Sequence, residues 1–82
     1  MPLYYFDTRD DKGFVADDTG LELDSLEQAK AEATRALVDI ARDRVPGPDR
    51  LVFVVEVSDE NKQPLLEARL MIEIAHKAGT VN

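Results

Sequence analysis

Eighty-two residues with a net charge of −7 and no cysteine support one hydrophobic core and exclude disulfide scaffolds and thiolate metal sites. At 44% hydrophobic and 33% charged residues, the chain reads as one globular domain over 1–82. Its acidity repels phosphate backbones, so no nucleic acid is expected as a partner.

The longest apolar run, Leu51 to Val55, is far too short to cross a bilayer, and MPLYYFDTRDD lacks the regions of a signal peptide. A soluble, cytoplasmic protein without membrane contact is expected. Residues 1–24 carry seven acids against Arg9 and Lys12, while residues 25–50 balance five acids with five bases. The excess charge therefore gathers at the N-terminal end, where it would attract a basic partner protein.

In chain order, LYYFDTR (3–9) is an aromatic-rich strand, and DDKG closes on Gly13, which can take the positive φ of a hairpin loop. FVA follows as a short second strand, so residues 3–16 read as a hairpin. DDTGLELD is a turn around Gly20. The helix then starts with Asp24 as N-cap and Glu27 three residues on, a capping-box spacing. Leu26, Ala29, Ala33, Leu37 and Ile40 recur at helical spacing, flanked by Ala36 and Ala41. Arg42 and Arg44 suit the last turn, and Pro46-Gly47-Pro48 ends the helix.

LVFVVEVS (51–58) has the β-branched composition of a central strand. DENKQP turns the chain. Residue preferences in LLEARLMIEI favour a helix, but Leu66, Ala68, Leu70, Ile72 and Ile74 alternate with Glu67, Arg69, Met71 and Glu73, which predicts a strand. Residues 75–82 read as a flexible tail. The expected fold is α+β, in the order β-β-α-β-β: a four-stranded, mainly antiparallel sheet with one helix on one face.

The chemical motifs are weak. Asp18-Thr19-Gly20 matches the catalytic tripeptide of aspartic proteases, whose paired carboxylates share a proton. Here Asp17 adds a like charge where an apolar residue is expected, so the tripeptide reads as a turn. Five aspartates near the hairpin (Asp7, Asp10, Asp11, Asp17, Asp18) fail the calcium-loop spacing: with Gly13 as the central glycine, the closing position falls on Thr19 rather than Glu. His76 stands alone without a thiolate or carboxylate cluster, and no serine or threonine has a patterned base. Tyr4, Tyr5 and Phe6 sit beside acids rather than in a basic groove, which favours packing over base stacking. No catalytic residue, metal site or cofactor is expected, and the chain is read as a non-enzyme.

MPLYYFDTRDDKGF, DDTGLELDSLEQAKAEA and VEVSDENKQPLLEARL together resemble a family of short bacterial proteins known only as a domain of unknown function. The resemblance lies in a Pro-x-Tyr-Phe/Tyr-Phe start, a Gly-x-Glu-Leu step into a Leu-Glu-x-Ala helix, and an acidic turn before the last strand. It implies no activity. Lys62 stands where the resemblance would place glycine. DDKGFVADDTG and SLEQA are also similar to small β-β-α antitoxins, which implies an acidic binder of a basic protein, although no DNA-binding segment is appended.

Width supplies the main functional expectation. Four strands span roughly 19 Å at ~4.8 Å spacing, whereas a helix with its side chains is about 10–12 Å across. One helix therefore leaves a sheet face bare, and that face carries Tyr5, Val52, Val54 and Met71. These four are the expected interface of a homodimer that buries the second face or pairs strand edges. An antitoxin-like acidic binder of a basic partner is the alternative.

Overall fold

The structure is a computed structural model that describes residues 1–78. Part of the tail expected at 75–82, residues 79–82, lies outside the described residues. Three strands, β1 (Leu3–Asp10), β2 (Gly13–Val15) and β3 (Leu21–Glu22), precede helix α1 (Leu26–Arg44). Strands β4 (Arg50–Ser58) and β5 (Pro64–Glu73) follow it. All pairings are antiparallel. The sheet runs β2-β1-β4-β5, and β3 pairs with the start of β1. The fold is α+β, with one helix against one face of the sheet.

The fifth strand is a difference from the sequence reading, in which DDTGLELD holds a turn at Gly20 and no strand. Gly20, at φ +76°, turns the chain back so that Leu21 pairs with Tyr4 and Glu22 with Leu3. A Cβ at Gly20 would lie 3.0 Å from Leu3 Cδ1 and 3.2 Å from the Tyr4 carbonyl oxygen, so glycine is needed there for space as well as for φ. Two paired residues are too few to leave an alternating pattern.

The helix cap also moves by one residue. Ser25, not Asp24, is the N-cap: its Oγ accepts the Gln28 N–H at 3.3 Å, and Gln28 Oε1 accepts the Asp24 N–H at 2.8 Å. Gln28 bonds the Ser25 hydroxyl through its N–H and reaches back with its side chain to the residue before the cap, a variant of the capping box that displaces the Asp24–Glu27 pair. Ala29, Ala33, Leu37 and Ala41 then recur every fourth residue and are buried, and three small side chains let the helix lie close to the sheet. Leu26, expected on this stripe, is 41% exposed.

The helix packs chiefly on β4 and then on β5. Phe53, Val55 and Val57 of β4 form the fully buried floor. Tyr4 and Phe6 flank it from β1, and Leu66, Leu70 and Ile72 from β5. At its far end α1 closes on Val45, which precedes a cis Pro46. Arg44 donates to Asp10 at 2.6 Å and to Asp11 at 2.7 Å. This ties the helix end to the β1–β2 turn, and Arg44 and Asp10 are both largely covered.

The period of two in residues 65–74 predicts a strand, and β5 pairs with β4 from Arg50–Glu73 to Ser58–Pro64. The ladder is interrupted once, by an irregularity at Val57/Ser58.

Candidate interaction surface

Away from the helix, the registers of β1, β4 and β5 set the open face out in rows. Val52 lies opposite Met71, and Val54 lies between Arg9 and Arg69. Glu56 lies between Asp7 and Glu67, and Tyr5 is opposite Ser58. Three of the four expected interface residues, Val52, Val54 and Met71, thus form one patch. Tyr5 does not join it, because four residues of strand, roughly 13 Å, separate its row from that of Val54.

The patch is smaller than the sequence suggests. Val54 is already buried at 6% exposure, and Met71 is 53% exposed. Tyr5 is half-buried, with the Lys62 ammonium 3.7 Å from its ring centroid. Charge surrounds it: Arg9 and Arg69 form a basic band through Val54, and the next row is an acidic band (Asp7, Glu56, Glu67). Alternation places apolar and charged residues on one face equally well, and only the register shows how they neighbour one another.

A second apolar feature lies at the rim. β5 ends the strand order, so its outer backbone groups have no sheet partner among the described residues. Leu65, at 42% exposure, and Met71 stand along this edge. Sequence reasoning singled out neither Leu65 nor the Glu67–Arg69 pair, whose Nε–Oε2 distance is 2.6 Å. The signal was available in the symmetric order of LLEARLM.

The Asp18-Thr19-Gly20 segment is organised by its neighbour. Asp17 Oδ1 accepts the N–H groups of Thr19 at 3.0 Å and Gly20 at 3.1 Å, and Oδ2 accepts that of Phe6 at 3.0 Å. Its own N–H donates to Asp7 Oδ1 at 2.8 Å, and its carbonyl accepts from Lys62 Nζ at 3.0 Å. Burial alone would raise the Asp17 pKa, but the Gly20, Phe6 and Thr19 donors and the Lys62 charge outweigh it and hold the carboxyl below its usual range. Asp18 is exposed and makes no such bonds. The carboxylate is thus spent on folding a turn. Asp-x-Thr-Gly, an aspartate whose side chain bonds the backbone two residues on, is the signal that could have identified it.

Three other acids are similarly occupied. Asp10 and Asp11 hold Arg44, and Asp49 Oδ2 lies 2.6 Å from His76 Nε2. Among the described residues no group of three or more His, Asp or Glu side chains could hold a metal ion, and no helix is long and apolar enough to cross a membrane. An open depression of about 390 Å³ lies beside the patch, bordered by Arg9, Asp11, Arg50, Val52 and Val54.

Compared with family models, residues 3–71 match Domain of unknown function (DUF6894). No curated protein and no solved structure matches the chain.

Proposed function

The chain belongs to the DUF6894 family, whose description assigns no activity, and we propose from its own geometry a non-catalytic interaction module that acts as a cytoplasmic homodimer. One observation carries this reading: a ten-residue outer strand, β5, has an open edge with Leu65 and Met71 exposed beside it. Unpaired backbone groups along a long edge are a template for another strand.

Sedimentation equilibrium tests the reading: a mass near twice 9.2 kDa at micromolar concentration is expected, and a chain that stays at 9.2 kDa overturns it.

A second reading, an acidic binder of a basic protein, is favoured by the acidic band. Asp7, Glu56 and Glu67 stand directly abreast on three strands, where like charges repel and a cation would relieve them. Capture of a basic protein that is lost when Glu56 is changed to Gln supports this reading, and capture unaffected by the change opposes it.

A further inference from the structure

The outer strand has nearly the same character read from either end. About Ala68, the order Leu65-Leu66-Glu67-Ala68-Arg69-Leu70-Met71 runs apolar, apolar, acid, small, base, apolar, apolar. Leu66, Ala68 and Leu70 lie on the helix side, packed partly buried against the core, whereas Glu67, Arg69 and Met71 alternate onto the open face. Leu65, next to the irregularity in the ladder, also turns away from the core.

We infer that two copies of the chain join their β5 strands edge to edge, antiparallel, with each Ala68 opposite the other. This inference rests on the homodimer reading above and names the seam. A two-fold axis perpendicular to the sheet keeps both helices on one face, so open-face residues meet open-face residues. Centred on Ala68, Glu67 of each copy faces Arg69 of the other, Leu66 faces Leu70, and Leu65 faces Met71.

The Glu67–Arg69 pair within each strand, at 2.6 Å, then abuts its symmetric copy, and the four charges alternate in sign around a square. Centring the axis on residue 67 or 69 instead would set Glu67 against Glu67 or Arg69 against Arg69, which is destabilising. Among these three centres the charges select Ala68.

The edge is also weakly defended against such pairing. Strands that must stay unpaired are blunted by lysine, proline or bulges. Here Pro64 and the irregularity at Val57/Ser58 stand at one end only, and β5 contains no lysine. Over the seven residues from Leu65 to Met71, roughly 24 Å of edge would find partners. The helices, which already pack on β5, would flank the seam and cover more of Leu66 and Leu70.

The test is a charge swap in the full chain, read as the dimer dissociation constant by sedimentation equilibrium, with circular dichroism confirming the fold. Glu67→Arg alone makes all four seam charges positive, and Arg69→Glu alone makes them negative. Each single change is expected to weaken the dimer by roughly tenfold or more. The double variant restores the alternating square and is expected to regain most of the parent affinity. A dimer that is indifferent to both single changes, or a double variant no better than the singles, overturns the seam while leaving the homodimer reading intact. A parent chain that remains monomeric at high-micromolar concentration overturns both and leaves the edge to a strand from a different protein.

Discussion

At neutral pH the Asp17 carboxylate accepts three backbone N–H groups that bring together β1 and the turn before β3. Asp17→Asn places an amide where Oδ2 met the Phe6 donor, leaving an N–H group partly buried without an acceptor. A loss of about 1–3 kcal/mol is expected at pH 7 in denaturant melts. The pH dependence follows from the lowered pKa. The folded-state value lies below the ordinary aspartate value of 3.8, so the contribution of the carboxylate is fully present above that value and is lost as pH falls through the lower, folded-state one. The gap between parent and variant should therefore narrow in strong acid. Lys62 is informative at the same scale. The resemblance would place glycine here, and Lys62 has φ +66°. Lysine occupies this left-handed position while its ammonium lies over Tyr5 and donates to the Asp17 carbonyl. A backbone requirement was thus legible in the sequence, but the long-range contacts of the side chain were not.

The elements were legible in proportion to their length. α1 and β4 stand out in composition and spacing, and β5 was assigned by alternation against its residue preferences because the buried row decides the face. β3 escaped because pairing of two residues depends on Gly20 and on the nearness of Leu3, neither of which has a local pattern. The cap shows the limit of a spacing rule when two candidates are adjacent. Asp24 and Ser25 both suit the N-cap, and the box closes on the one whose third successor is Gln28. Ser25→Ala is expected to cost about 1 kcal/mol in a thermal or denaturant melt, and Asp24→Ala clearly less. Equal losses would mean that the helix starts where Asp24–Glu27 spacing suggested. The surface followed the same logic: Val52, Val54 and Met71 were recognisable by alternation, but the bands of charge beside them arise only when three strands are set in register.

Across the whole molecule, the middle of the sheet is a long-range pairing. β1 and β4, its central strands, are separated in sequence by the helix, with Tyr5 opposite Ser58. A fragment ending at Gly47 keeps the hairpin and the helix but lacks Phe53, Val55 and Val57, which are fully buried. It is expected to show no cooperative thermal transition, whereas the full chain melts in one step. A cooperative melt of the fragment would show that the hairpin and helix hold each other without β4 and β5.

The same placement of β4 bears on how the protein is made. On a ribosome, the N-terminal half emerges first, with an alanine-faced helix and nothing to lay it on. The hydrophobic floor arrives only with residues 51–57, and closing it requires the chain to fold back over some fifty residues to reach β1, a slow kind of contact to form. Until then nascent chains expose sticky surface, and β5, which follows β4 in the chain, completes this sheet.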